Sequence, residues 1–265
     1  MRLTTLLSRT AMMYIDKRVS RSAAGLAYFL TMSVFPMLIC LNALLGRIFP
    51  DPDSIIAFAE GIIPTEAMRV ILEYLSYVSA HNNRSMFNAG LILTATSGAA
   101  AFRQLHHSIG DIESERRYKG TVSYLMSFPF SLVFLAAVYF AAGVVVSGNW
   151  FLRFIDDNIV FISVNGAWQW LRFVLMFALL CVIIYGTYRI TSPHAQGLMP
   201  GAAAASLGLV SVSIVFSFAI SVSVRYPLVY GSLASMVVMM VWLYLCCNLV
   251  LLGSIINVVL RNARN

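Results

Sequence analysis

Charged side chains are scarce in this sequence. Asp, Glu, Lys and Arg make up 11% of its 265 residues, whereas 60% of the residues are hydrophobic. A water-soluble domain carries about a quarter charged residues, because its surface must be hydrated. The shortage of charge excludes a string of soluble domains and predicts a protein whose side chains mostly face lipid or one another.

Acidic residues are missing from the middle of every long apolar run. The 11 Asp and Glu residues, like the four histidines, lie between the runs or near their ends. Proton-coupled transporters commonly place a carboxylate or a histidine inside the membrane, where such a group is costly to bury and so marks a pathway. The sequence therefore disfavours carboxylate-driven ion coupling.

Sequence patterns of common enzymes are also missing. The chain contains no phosphate-binding P-loop, no nucleophile elbow and no glycine fingerprint for dinucleotides. Its four cysteines fall within apolar runs and show no metal-ligand spacing. We therefore expect no enzyme activity, no cofactor, no disulfide and no zinc site.

One polar segment, residues 106–117, carries several groups that bind divalent metals in other proteins. The candidate ligands are His106, His107, Asp111, Glu113 and Glu115. Their spacing matches no recognised site, and Arg116, Arg117 and Lys119 neutralise the acids. The pattern favours a solvated cytoplasmic loop over a metal site.

Six apolar stretches are each near or above the roughly 20 residues that an α-helix needs to cross a hydrocarbon core of about 30 Å. They lie at about 22–48, 86–106, 121–147, 169–190, 200–224 and 232–258. All are apolar on every face, unlike the alternating strands of an outer-membrane barrel. The predicted fold is all-α, a polytopic bundle of six transmembrane helices in a single domain over residues 1–265.

Basic residues are distributed unevenly over the segments between these stretches. With the N-terminus inside, 12 of the 18 Lys and Arg residues fall on the cytoplasmic side. Seven of the 11 acids fall on the other side. The positive-inside rule then predicts that both termini are cytoplasmic. The net charge of +7 is interpreted as an orientation signal and not as a surface for nucleic acid.

Two segments outside the spans have amphipathic patterns. Residues 1–20 place leucines near one helical face and are predicted to form a cytoplasmic interfacial helix. The charge for anionic headgroups comes from Arg9, Lys17, Arg18 and Arg21. Residues 50–85 are the longest polar segment and are predicted to form two short amphipathic helices on the extracytoplasmic side. Ser22 is expected to cap the first span.

Proline and small residues determine the packing expected within the spans. Pro36 removes one backbone hydrogen bond and predicts a kink, with Ser33 or Asn42 as a partner for the freed carbonyl. The second and fifth spans are rich in small residues, which allow close helix contact and predict a central position for both. The packing glycines are Gly98, Gly201 and Gly208. A substrate path lined by the same small residues is the alternative.

Few polar side chains remain inside the spans or at their edges. Arg103 and Arg189 lie at predicted inner boundaries, where a guanidinium group can snorkel to phosphates or bind a lipid headgroup. Asn42 and Asn248 lie deeper in the apolar runs. We take these four as candidate headgroup or path residues, with ordinary packing and hydrogen bonding between helices as the alternative.

Short motifs follow one another in a definite order along residues 20–260. They are Ala23–Phe29 before Ser33–Pro36, Tyr188–Arg189 with Pro193, Pro200–Ala202, Tyr226, Tyr230–Leu233, Trp242–Tyr244, Leu251–Gly253 and Asn257. Their order and spacing resemble the YihY/BrkB family of bacterial inner-membrane proteins. The resemblance implies six helices with both ends cytoplasmic. The family pattern often has a glutamate where this sequence has Ile255, so a mechanism that needs that carboxylate is not implied.

The resemblance leaves the activity open, because the family carries a virulence-factor name, a ribonuclease label and suggested links to envelope lipid export. The residues favour a passive or partner-driven facilitator of lipid or other amphipath movement, with membrane phospholipids as partners and no nucleic acid. The alternative is a non-transporting envelope scaffold whose segment 50–85 binds a partner protein. Homo-oligomers are compatible with both, and the ribonuclease label matches no residues of this sequence.

Overall fold

The computed structural model describes residues 3–48, 84–130, 133, 164–222 and 233–263, apart from residues 116, 119, 124 and 195. The long helices in these ranges are α1 (Leu3–Asp16), α2 (Val19–Ile48), α3 (Arg84–Glu113), α4 (Val164–Thr191), α5 (Met199–Val222) and α6 (Leu233–Asn262). Residues 120–123 and 125–130 are helical as well. The described part of the chain contains no strand, and the all-α prediction is confirmed for it.

Two stretches of the described helices are long and apolar enough to cross a membrane. They are Met199–Phe216 in α5 and Met236–Asn262 in α6, while Phe177–Thr191 in α4 is apolar but shorter. The predicted third span, 121–147, and the amphipathic segment 50–85 lie largely outside the described residues.

A tight turn separates α1 from α2. Arg18 has a left-handed backbone, with φ of 50°, and its amide donates to the carbonyl of Ile15 at 3.1 Å. The chain changes direction there, and α2 begins at Val19. The prediction that Ser22 caps this helix is wrong, because Ser22 lies within α2.

Helix α2 continues through Pro36. Proline has no N–H to donate to the carbonyl of Met32, four residues earlier. The hydroxyl of Ser33 donates to the carbonyl of Leu30 at 2.8 Å, so the prediction that Ser33 satisfies the freed carbonyl is wrong. The side chain of Asn42 lies outside the described part of the structure.

Helix α3 extends past the predicted end of the second span at 106 and stops at Glu113. The prediction of a solvated loop is therefore wrong for residues 106–113. The reason is packing, since Ala101, Ile109 and Ile112 lie at helical spacing and are all buried. Ser114 then adopts a left-handed backbone, with φ of 58°, and ends the helix.

Helix α6 occupies the centre of the described bundle. It packs against α1, α2, α3 and α5, whereas α3 packs mainly on α2, and α5 packs on α6 and α4. Leu251 and Ile255 of α6 are fully buried in the core. The central position predicted for the two spans rich in small residues stays a prediction, because the predicted third span lies largely outside the described residues.

Helices α5 and α6 meet at a pair of glycines. A side chain at Gly201 would overlap the carbonyl oxygen of Gly253, and one at Gly253 would overlap the hydroxyl of Tyr188. Asn257 of α6 also accepts a hydrogen bond from the backbone N of Gly201 at 2.7 Å. Backbone therefore packs directly on backbone at this contact, as is common where membrane helices cross.

Candidate functional site

The helices meet at one end of the bundle, where α2 and α5 begin and α3, α4 and α6 end. We call this the polar end. Lys17, in the turn between α1 and α2, donates to the hydroxyl of Ser114, just after α3, at 2.9 Å. Residues from the turns and from the last turn of α6 also bond to one another here. The polar end therefore collects side chains that are far apart in the sequence.

Glu113 lies at the centre of the polar end. Its side chain is only 1% exposed, and its Oε2 lies 3.1 Å from Arg261 of α6 and 2.9 Å from Nδ1 of His194. Its Oε1 accepts a hydrogen bond from the hydroxyl of Ser192. A buried carboxylate needs such partners to offset its loss of hydration. Glu113 thus connects the end of α3, the α4–α5 turn and the end of α6.

Arg117 caps the end of α4. Its guanidinium donates to the carbonyl of Arg189 and, at 3.2 Å, to the carbonyl of Ser192. The last carbonyls of a helix lack partners within the helix, and a cation near them also complements the helix dipole. Arg117 was predicted only to neutralise nearby acids, and the structure instead places it on the backbone of another helix.

His106 anchors the chain that follows α3. Its side chain is fully buried, and its Nε2 lies 3.0 Å from the carbonyl oxygen of Tyr118. Its Nδ1 has no hydrogen-bond partner among the described residues. The rings of Phe102 and Tyr118 pack against this imidazole, and Phe130 contacts those two rings in turn. His106 therefore packs in the protein interior.

The other candidate residues predicted from the sequence do not share one site. Arg103 donates to the hydroxyl of Ser127 at 3.0 Å, while Arg189 is exposed at the end of α4. Gly208 lies against Leu249, and Gly98 is half-buried on α3. The role of these arginines at lipid phosphates stays a prediction, as does the packing role of Gly98.

Asn248 belongs to a hydrogen-bonded group that joins α6 to α1 and α2. Its Oδ1 accepts from the hydroxyl of Tyr14 at 2.7 Å, and its Nδ2 donates to the carbonyl of Tyr244 at 2.8 Å. The hydroxyls of Ser20 and Tyr244 lie 2.7 Å apart. Burial, and secondarily the nearby Tyr244, raise the pKa of the Tyr14 hydroxyl above its ordinary value.

An open cleft of about 660 Å³ lies beside this group, between α1, α2 and α6. Its lining residues are Tyr14, Ile15, Arg18, Val19, Ser20, Arg21, Ala24 and Tyr244. Neither Arg103 nor Arg189 lines it, and Asn248 adjoins it through Tyr14. Sequence reasoning missed this cleft, because Arg18 and Arg21 were interpreted only as interfacial charge.

Ile255 occupies the position where a glutamate is frequent in the family that the sequence resembles. It is fully buried with Leu251 in the C-terminal half of α6. A carboxylate in such surroundings would need a charged or hydrogen-bonding partner. In this chain the position contributes to the apolar core.

The described residues contain helices and no strand, and two of the helices are long and apolar enough to cross a membrane. Together with the composition, these helices indicate an integral membrane protein. Residues 11–265 match the family described as virulence factor BrkB, and the chain belongs to this family. It is a protein of the bacterial inner membrane.

Curated relatives cover most of the chain at low identity. The ribonuclease-like protein YfkH of Bacillus subtilis is 27% identical over 91% of this chain and 90% of its own length. A UPF0761 membrane protein of Vibrio campbellii is 26% identical over 89% of this chain and 76% of its own length. A third, from Vibrio parahaemolyticus, is 24% identical over 89% of this chain and 76% of its own length. No solved structure matches the chain.

Proposed function

We propose that this protein facilitates the movement of lipid or another amphipath across the inner membrane, without ion coupling and without enzyme activity. The proposal includes six transmembrane helices and cytoplasmic termini. The observation that carries it is the open cleft beside Tyr14 and Tyr244, in which Arg18 and Arg21 are exposed. A cleft that combines cationic and apolar walls suits a molecule with a polar head and an apolar tail.

The arrangement of the helix ends supports the proposed topology. The basic residues Lys17, Arg117 and Arg261 all make contacts at the polar end. Helices α2 and α5 begin at this end and α3, α4 and α6 end there, so the first two run opposite to the other three. A cytoplasmic polar end agrees with the positive-inside rule, because basic residues are enriched there.

The absence of ion coupling is proposed from the position of the acids. Glu113, the buried carboxylate of the polar end, is paired with Arg261 and lies at the end of α3 and not in its middle. A proton-carrying group needs access to both sides of the membrane as it is loaded and released. Glu113 is better suited to holding helices together.

Lipid redistribution in proteoliposomes tests the proposal. Vesicles with purified protein should equilibrate a fluorescent phospholipid between leaflets faster than protein-free vesicles, without an ion gradient. Ala24→Trp places a bulky ring at the cleft wall and should slow this movement. Ala204→Trp is the matched control, since Ala204 is exposed on α5, away from the cleft.

Wild-type protein that moves no lipid faster than empty vesicles, with no partner that restores movement, would contradict the facilitator proposal. An envelope scaffold that binds a partner through segment 50–85 would then take its place. Equal slowing by Ala24→Trp and Ala204→Trp would remove the cleft from the pathway.

A further inference from the structure

Two arginines of the cleft have no partner within the described structure. Arg18 and Arg21 are both exposed at its wall, and neither guanidinium makes a hydrogen bond or ion pair with a described residue. Asp16, the acid closest in sequence, pairs with neither. A guanidinium presents several N–H donors in a plane that matches the oxygens of a phosphate. The pair therefore favours a ligand that carries a phosphate group.

Hydroxyl groups line the cleft beside the arginines. Ser20 and Tyr244 share one hydrogen bond, and Tyr14 donates to Asn248. A hydroxyl has one donor and two acceptor lone pairs, so these groups retain acceptor capacity. They are suited to accept hydrogen bonds from hydroxyls of a ligand. A headgroup with both a phosphate and a hydroxyl would bind the arginines through its phosphate and these hydroxyls through its own hydroxyl.

An exposed apolar stripe leads from the cleft along α2. The stripe begins after Arg21 and Ala24, which line the cleft. It contains Tyr28, which is 51% exposed, and Met32, which is 41% exposed. These residues follow one another at spacings of three or four, so they lie along one face of the helix. From Arg21 to Met32 the helix rises about 16 Å. Half of a hydrocarbon core is about 15 Å thick, so the stripe matches the acyl chains of one leaflet.

A second stripe leads from the cleft along α6. Val241 and Val237 are 43% and 40% exposed and precede Tyr244 at spacings of three and four residues. Helix α2 runs away from the polar end, whereas α6 runs towards it. Both stripes therefore extend from the cleft towards the opposite end of the bundle, on two helices that pack against each other.

We propose that the cleft is a binding site for an anionic phospholipid whose headgroup carries a hydroxyl. Arg18 and Arg21 bind the phosphate, the hydroxyls of Tyr14, Ser20 and Tyr244 face the headgroup, and the acyl chains follow the stripes on α2 and α6. The inference rests on the proposed function, because it names the class of lipid that binds in the same cleft. A free phosphate ion would use the arginines but not the stripes.

Binding of phosphatidylglycerol labelled on its acyl chain tests this site in the purified full-length protein. Phosphatidylglycerol should bind more tightly than phosphatidylcholine, whose headgroup is zwitterionic and has no hydroxyl. The double variant Arg18→Gln/Arg21→Gln should raise the Kd for phosphatidylglycerol about tenfold or more. Arg9→Gln is the matched control, because Arg9 is exposed on α1 and does not line the cleft. Its Kd should change less than about twofold.

Two further arms separate a lipid from a free anion. Inorganic phosphate in millimolar excess should not displace the labelled lipid, and Tyr28→Ser/Met32→Ser should weaken binding. Displacement by phosphate together with no effect of the stripe variant would assign the cleft to a free anion and overturn the inference. Equal affinity for the two lipids, or an unchanged Kd in the arginine variant, would overturn it as well.

The same preparations separate this inference from the proposed function. Selective phosphatidylglycerol binding with no lipid movement would leave the site in place and contradict the facilitator proposal. Lipid movement without selective binding would contradict the site alone. Each variant is compared with wild type for helical content and elution volume before either assay, so that loss of folding is recognised.

Discussion

At the scale of single residues, Glu113 holds three separate parts of the chain together. Its carboxylate contacts Arg261, His194 and Ser192, which belong to the end of α6 and to the α4–α5 turn. Such a group is stabilising only while its partners are present, because an unpaired buried charge is strongly unfavourable. The polar end therefore depends on one carboxylate more than on the many exposed charges around it.

Replacing Glu113 should destabilise the protein strongly. We expect Glu113→Ala to lower the free energy of unfolding by about 3 kcal/mol, because Arg261 and Ser192 lose their partner. Glu115→Ala is the control, since Glu115 is exposed, and it should change stability by less than about 0.5 kcal/mol. Reversible denaturant titration in detergent measures both.

A double-mutant cycle tests whether Glu113 and Arg261 stabilise the protein through their contact with each other, whatever the size of the single effects. Glu113→Ala/Arg261→Ala should be less destabilised than the sum of the two single variants, by about 1 kcal/mol or more. Additive effects would show that the two side chains contribute separately and that the ion pair has no role in stability.

At the scale of helices, the contact between α5 and α6 shows that glycines of similar sequence context differ in what surrounds them. Gly201 faces the backbone carbonyl of Gly253, whereas Gly208 faces the end of the Leu249 side chain. Around Gly186 of α4, by contrast, no atom of the described residues lies within 4 Å of the position of an added methyl group. A backbone carbonyl cannot move without shifting a helix, while a leucine side chain can change rotamer.

Alanine substitutions at these three glycines should therefore differ in sign and size. Gly201→Ala should destabilise by about 1–3 kcal/mol or more through overpacking, and Gly208→Ala by less. Gly186→Ala should be neutral or stabilising by up to about 1 kcal/mol, because alanine favours the helix. Thermal unfolding in detergent ranks the three variants, and equal melting temperatures would refute the close contact of α5 and α6.

At the scale of the whole molecule, the polar end and the charge distribution favour one orientation. The turns at this end carry the basic residues Lys17, Arg18 and Arg117. Translocation of such turns is disfavoured, because cationic residues near transmembrane helices are retained in the cytoplasm. The cleft between α1, α2 and α6 would then open at the cytoplasmic leaflet, where anionic lipids attract basic residues.

Cysteine labelling tests this orientation. Single cysteines at Glu115 and Ser54 are introduced after the four native cysteines have been replaced. An impermeant maleimide should label position 54 in intact spheroplasts and position 115 only after permeabilisation. Labelling of 115 but not 54 in intact spheroplasts would reverse the topology and move the cleft to the outer leaflet.

The sequence by itself determined the class of protein and the approximate positions of the helices. Apolar length is a local property, and a stretch such as 200–224 must form a helix in lipid whatever surrounds it, because its backbone has no other hydrogen-bond partners. The observed α5, Met199–Val222, and α6, Leu233–Asn262, lie close to these predicted stretches. The resemblance to the BrkB family likewise came from motifs that are visible without a structure.

Only the tertiary structure decided which polar residues are buried and which face open space. Glu113 and Arg261 are 148 positions apart, and no local pattern indicates that they meet. The same holds for Tyr14 and Asn248, 234 positions apart, beside the cleft. The sequence does contain a pattern that indicates the true end of α3. Ile109 and Ile112 continue the helical spacing of apolar residues beyond the continuous apolar run. Pairing between distant segments depends on how whole helices pack. The composition of each helix does not specify that packing.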